Sequence, residues 1–181
     1  VKPRVLPLKE PDDERLKLLA KTLPGPDGQP LNVFRTLAHK PELARRVNAL
    51  GGYFVLSGSI PIRDRELVIL RVASRCDCAY EAAQHRWIAA ASGLSAAEIA
   101  AALDPSIDHD WRPADAALLA FADELLSTDT VSSSAWEAVD VADTTCIELL
   151  VLVGFYRLLA GVLNGVGVEI DKGVIEHLGG S

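Results

Sequence analysis

Residues 66–85 hold four side chains able to handle protons or electrons: Glu66 within an apolar helical run, then Cys78, Glu81 and His85 at spacings of three and four. At about 100° per residue, Cys78 and His85 differ by only about 20° around a helix and Glu81 lies about 60° from Cys78. A thiol, a carboxyl and an imidazole therefore share one face. Ala82 and Ala89 flank His85 there and are small enough to admit a small ligand, so a pocket is expected beside them.

Glu66 lies in IRDRELVILRVASR, where Asp64, Arg71 and Arg75 form one stripe. It points about 140° away from Arg71, on the side of Ile69, Leu70 and Ala73, and so toward the core. A buried carboxylate needs a cation or several donors, and His85 is the candidate partner. A buried Glu and His sharing a proton titrate as a unit near neutrality, which suits general acid and base work. The plainer alternative is a structural acid bonded to backbone donors beside an ordinary core histidine.

Helices are needed to position these groups, and the punctuation predicts a chain of them. Residues 1–12 read as an extended arm, Asp13–Thr22 as a short helix and LPGPDGQP as a loop. Asn32 is expected to cap VFRTLAHK, and Pro41 to open a helix weakened or bent at Gly51 and Gly52. A helix from Pro61 to Arg75 leads into a second from Cys78 to Ser92, stopped by Gly93. Ser95 with Glu98, and Ser134 with Glu137, carry capping-box signatures, while Pro113 opens PADAALLAFADELLST, with Asp110 as its expected cap. The last long helix, Asp143–Leu163, is almost wholly apolar and belongs in a core. Strand signals are absent. ELVILRVA from Glu66 and ELLVLVGF from Glu148 echo one another, which fits a degenerate internal repeat or a chance likeness between Leu/Val-rich helices.

Composition narrows the partners. The 181 residues fit one domain, 1–181, with an arm, short helix and loop in 1–31 and a helical core in 32–181, large enough to fold without disulfides or metal. Hydrophobic residues at 49% and charged residues at 24% describe a globular chain. A formal charge of −7, with no dense basic run, argues against nucleic acid. Arg157 interrupts the C-terminal apolar run, so no membrane-spanning segment is expected, and the polar, proline-rich N-terminus is unlike a secretory signal. Three cysteines without a framework indicate reduced thiols and a cytoplasmic location. The four histidines are too scattered for a zinc motif, and no metal is expected.

The stretch RDRELVILRVASRCDCAYEAAQH resembles the core of the carboxymuconolactone decarboxylase and alkylhydroperoxidase D superfamily. That family's signature is a glutamate, a cysteine twelve residues on, a second cysteine three later and a histidine four beyond, which here read Glu66, Cys78, Glu81 and His85. NVFRTLAHKPEL and ELLVLVGFYRLLAGVLNGVGVE are similar to the family as well. The resemblance implies an all-α helical bundle of the alkylhydroperoxidase D type that assembles as trimers or hexamers. The peroxidase branch needs both cysteines of a C-x-x-C, so Glu81 in the second place is expected to break that dithiol cycle. Cys76 would replace it only if the helix start were unwound, because on a helix it lies about 160° from Cys78.

The decarboxylase branch lacks that requirement and implies cofactor-free chemistry. A carboxylated lactone loses carbon dioxide, its conjugated carbonyl takes up the electrons, and an enzyme acid protonates the resulting carbon. His85 is then the general acid, Glu66 its orienting partner, Glu81 a second acid or base, and Cys78 a residue lining the pocket. The substrate is expected to be a small carboxylated lactone or a related carbonyl acid. Thiol-dependent peroxide or disulfide reduction is the alternative, and a non-catalytic ligand-binding oligomer a third. Arg157 is expected to neutralise an acid such as Glu148 or to face an anionic substrate. Tyr80 and Trp87 project away from His85 and are expected to pack against other helices or a neighbouring subunit.

Overall fold

A computed structural model describes residues 3–179, so the first two residues of the expected arm lie outside it. The chain is all-α, and among the described residues the extended pairing is a single isolated bridge between Pro24 and Pro30. It divides into two compact units, Val1–Ser57 with Val162–Ser181, and Gly58–Gly161.

The first unit contains α1 (Asp13–Leu19), α2 (Asn32–Leu37) and α3 (Pro41–Leu56). Leu18, Leu19, Leu37, Ala38 and Ala44 form its core, with Leu8, Val33, Phe34, Val47 and Val162 packed against them. Pro41 starts α3 as expected, because a first-turn residue has no use for its missing N–H. Gly51 and Gly52 do not interrupt that helix. Asn32 is not the cap of α2. It is the first helical residue, its backbone N–H donating to Asp171 Oδ1 at 2.8 Å, so a carboxylate distant in sequence does the capping.

The second unit is built around α4 (Ile62–Arg75), in which every residue from Arg65 to Ala73 is buried. It packs against α5 (Ala79–Ala91), α6 (Ala96–Leu103) and α7 (Pro113–Thr128). Leu67 and Leu70 meet Ala89, Leu94, Ile99, Ala102 and Leu119 in its core. Truncating either leucine to alanine would cost about 2–5 kcal/mol, since such close packing collapses poorly around a hole. The capping box of Ser95 and Glu98 opens α6, and Pro113 opens α7. Two caps differ from expectation. Ser132, not Ser134, caps α8 (Ser133–Ala138), and Arg112, not Asp110, occupies the cap position of α7, where Asp115 binds its guanidinium.

The long helix α9 (Asp143–Val166) supplies residues 143–161 to this unit. Its Glu148 accepts hydrogen bonds from Ser59 N, Ser59 Oγ and Ile60 N at 2.7–3.4 Å, fixing α9 to the segment that leads into α4. Arg157 therefore pairs elsewhere than expected. It is half exposed and meets Asp129 Oδ1 at 2.6 Å. Nor does it cut the helix short: α9 is long and apolar enough to cross a bilayer by length and composition, though half of that stretch is buried inside the protein, as in a core helix. The last helix, α10 (Lys172–Gly179), has no counterpart in the sequence reading.

Candidate functional site

The corner between α4 and α5 sets the site. Asp77 adopts a left-handed backbone (φ 49°) directly after the C-cap Cys76. Cys78 N then donates to Ala73 O at 2.8 Å and Asp77 N to Ser74 O at 3.1 Å, the double bond of a Schellman stop. Aspartate tolerates this conformation better than most residues. Cys78 is at once the end of that motif and the N-cap of α5, so the chain reverses with hardly any loop. Gly93 (φ 97°) closes α5 with the same pattern.

This corner brings Glu66 of α4 against His85 of α5. His85 Nδ1 lies 2.7 Å from Glu66 Oε2, and the carboxylate is almost wholly buried. A carboxylate only accepts, so Nδ1 carries the hydrogen and Nε2 is the nitrogen left for exchange with a reactant. The second oxygen is also engaged: Arg65 Nε donates to Glu66 Oε1 at 3.1 Å, and Arg65 Nη2 stands 3.0 Å from it. Burial raises the Glu66 pKa, but His85 and Arg65 outweigh it and leave the group below its usual range. Glu66 is thus a fixed anion.

The other two candidates sit close by without joining this pair. Among the described residues, neither Cys78 nor Glu81 hydrogen-bonds to His85. Burial pushes the Cys78 thiol up to about 12, outweighing the first-turn N–H groups of Glu81 and Tyr80 that favour a thiolate. Glu81, in the first turn of α5, is 3% exposed, and neither carboxyl oxygen has a hydrogen-bond partner. Burial pushes it up to about 8, so it holds a proton at neutral pH. Cys76 and Cys78 stand on either side of the left-handed Asp77.

Two residues were missed in the sequence. Arg65 was hidden by its position beside Glu66, since only a helix buried on all sides turns both neighbours inward. Tyr156 of α9 stacks edge-on to the His85 ring, centroids 5.2 Å apart at 86°. Burial, then Glu66 and Glu81, drive its pKa upward, so it stays a neutral phenol able to donate. A tyrosine inside an otherwise apolar core helix was the available signal, because a buried hydroxyl seeks a partner. Tyr80 is buried, consistent with a packing role.

Of the two alanines expected to flank a pocket, Ala89 is packed into the core and Ala82 is half-buried. A cavity of about 340 Å3 is lined by Ser74, Arg75, Pro105 and Leu126, and one of about 240 Å3 by Val131, Ser133, Trp136 and Glu137. The His85 side chain is 13% exposed. Among the described residues, no group of three or more His, Cys, Asp or Glu side chains is placed to hold a metal ion.

Residues 41–124, which include this whole arrangement apart from Tyr156, match the carboxymuconolactone decarboxylase family. No relative matches among curated proteins. Among solved structures, a peroxidase-related protein from Ralstonia eutropha JMP134 with an alkylhydroperoxidase AhpD core has a TM-score of 0.78 at 22% identity, covering 91% of this chain and 88% of its own. A peroxidase-related protein from Silicibacter sp. TM1040 has a TM-score of 0.80 at 17% identity, covering 95% of each chain. A Cys-to-Ala variant of the debrominase Bmp8, in complex with 2,3,4-tribromopyrrole, has a TM-score of 0.73 at 18% identity, covering 97% of this chain and 96% of its own. At these identities the structural likeness establishes a shared fold.

Proposed function

We propose that this chain, which belongs to the carboxymuconolactone decarboxylase and alkylhydroperoxidase D superfamily, is a cofactor-free enzyme that moves a proton on a small carbonyl acid, a carboxylated lactone being the reference substrate. The observation that carries this reading is the 2.7 Å contact between His85 Nδ1 and a buried, ionised Glu66. Such a partner fixes the ring's orientation and tautomer, leaving Nε2 to face a reactant. In the step envisaged, the bond to the carboxylate carbon breaks and its electron pair passes to the conjugated carbonyl oxygen as carbon dioxide departs. His85 Nε2–H then gives its proton to the substrate carbon, and solvent restores it. Tyr156 is the nearby neutral donor for the developing oxyanion, Glu81 a second acid in its protonated form, and Cys78 a lining residue. The protein is further proposed to be cytoplasmic and to work as a homo-oligomer, a trimer or hexamer, with a small molecule rather than nucleic acid or membrane as its partner.

Peroxide reduction through Cys78 is the weaker reading, although the names of the structural neighbours point that way. It needs a thiolate, and burial holds this thiol at about 12. The test is to follow loss of carbon dioxide from a carboxylated butenolide, with deuterium uptake from heavy water at the protonated carbon. His85→Ala should lower turnover about 10²–10⁴-fold while Cys78→Ser leaves it nearly intact. If Cys78→Ser abolishes activity toward a hydroperoxide and His85→Ala has no effect on the lactone, the lyase assignment fails.

A further inference from the structure

α9 is apolar enough to cross a bilayer, yet only half of its most apolar stretch is buried. Its exposed side has a pattern. Ile147, Val151, Gly154, Leu158 and Gly161 follow one another at spacings of four, three, four and three, and at about 100° per residue they fall within about 80° of arc. That spacing is the seam of a coiled coil. The three large side chains are 56%, 43% and 54% exposed, and both glycines are exposed as well. Glycine weakens a helix interior, so two on one exposed face call for a reason. Nothing within the chain supplies it, because a Cβ added at Gly154 or Gly161 would meet no atom of the described residues within 4 Å. A second backbone approaching from outside would.

We infer that this face packs against the same face of a second copy of the chain, the two α9 helices running antiparallel about a two-fold axis at the level of Tyr156. In that register Val151 of one copy seats on the partner's Gly161, and Leu158 on the partner's Gly154, so a knob meets a notch at each layer. Packed parallel, leucine would face leucine and glycine would face glycine, with a gap at every glycine layer. The face also suits its own copy electrically. Antiparallel helices set the positive start of one beside the negative end of the other. Residues 144–161 hold two charged side chains, Glu148, which is bound to Ser59 and Ile60, and Arg157, which is paired with Asp129, so contact strands neither. Tyr156 projects from the opposite side of the helix, toward His85, and the seam is therefore separate from the candidate active site. The inference rests on the homo-oligomer proposed above and gives it a contact. A two-fold contact builds a dimer or joins two trimers into a hexamer, but it does not build a lone trimer.

The experiment measures the mass of the full chain in solution by light scattering and sedimentation velocity over a wide range of concentration. Wild type is expected to form an even-numbered assembly. Gly154→Leu fills the notch and should weaken the two-fold contact by about tenfold or more, leaving monomers, or trimers where wild type is a hexamer. Open space at that position and the helix preference of leucine leave the fold of each chain intact, which circular dichroism checks. Combining Gly154→Leu with Leu158→Gly returns a knob to each notch and should restore the assembly, which a mere defect in α9 would not allow. The inference is overturned if wild type is a monomer or a lone trimer, if Gly154→Leu assembles as wild type does, or if the exchange restores nothing. A monomeric wild type sinks the oligomer itself, whereas an assembly that survives Gly154→Leu leaves the oligomer standing on another face. A monomer that binds phosphatidylcholine vesicles through this stripe would give it to a lipid surface and overturn the inference too. Should Gly154→Leu fail to fold, Leu158→Ser, at a half-exposed side chain, is read in its place and should dissociate the assembly in the same way.

Discussion

Replacing Glu81 with glutamine should stabilise the protein by an amount that grows with pH. The side chain is 3% exposed and has no hydrogen-bond partner at either oxygen, and burial raises its pKa from an ordinary 4.5 to about 8. The unfolded chain releases this proton near pH 4.5, whereas the folded chain holds it until about pH 8. Folding is therefore favoured most below the lower value, loses ground steadily as pH rises through the interval, and levels off above the higher one. At ~1.4 kcal/mol per pH unit, the loss is about 5 kcal/mol in all and about 3 kcal/mol by pH 7. Glutamine keeps the shape and has no proton to lose. Urea unfolding of wild type and Glu81→Gln at pH 5, 6, 7 and 8 should give free energies that nearly coincide at the acid end and separate by roughly 4 kcal/mol at pH 8. Taking the difference between the two proteins cancels every other titrating group. A gap that stays constant across the series would refute a buried, partnerless carboxyl at this position.

Asp115 should behave in the opposite sense. Burial opposes its ionisation, but Arg112 and Arg63 hold it down at about 2, so its contribution is full above the ordinary value of 3.8 and is lost as pH falls toward 2. Asp115→Ala, which strands two guanidinium groups, should cost about 3–5 kcal/mol at pH 7 in urea unfolding, with the gap to wild type closing in acid. For the thiols, iodoacetamide at pH 8 followed by peptide mass mapping should modify half-buried Cys76 first, and Cys78 and Cys146 only after unfolding. Rapid labelling of Cys78 in the native state would contradict its burial and reopen thiol chemistry.

Much of the helical order was legible because its signals are local. Pro41, Pro113, Gly93 and the Ser95–Glu98 box act within one turn, and each marks an end where the structure has one. Signals supplied across the fold were not legible. Asn32 looked like a cap but yields that role to Asp171, and Glu148, which seemed a partner for Arg157, serves Ser59 and Ile60. Helix α10 went unread because KGVIEHLG is short and contains Gly173, whose value lies in tertiary fit: an added Cβ would sit 2.7 Å from Asp27 Cγ. At the candidate site, the types and spacing of Glu66 and His85 were informative, while Arg65 and Tyr156 were not. Periodicity assigns one inward face to a helix, and α4 has no outward face from Arg65 to Ala73.

The tight reversal at Asp77 has a consequence for how this architecture can diversify. Acid and imidazole belong to one short span of chain, nineteen residues apart, and meet as soon as that span doubles back. Their alignment is inherited locally, so insertions and replacements in distant segments can reshape what approaches the imidazole without retuning the couple itself. Selection can thus act on recognition and on proton handling almost as two independent traits.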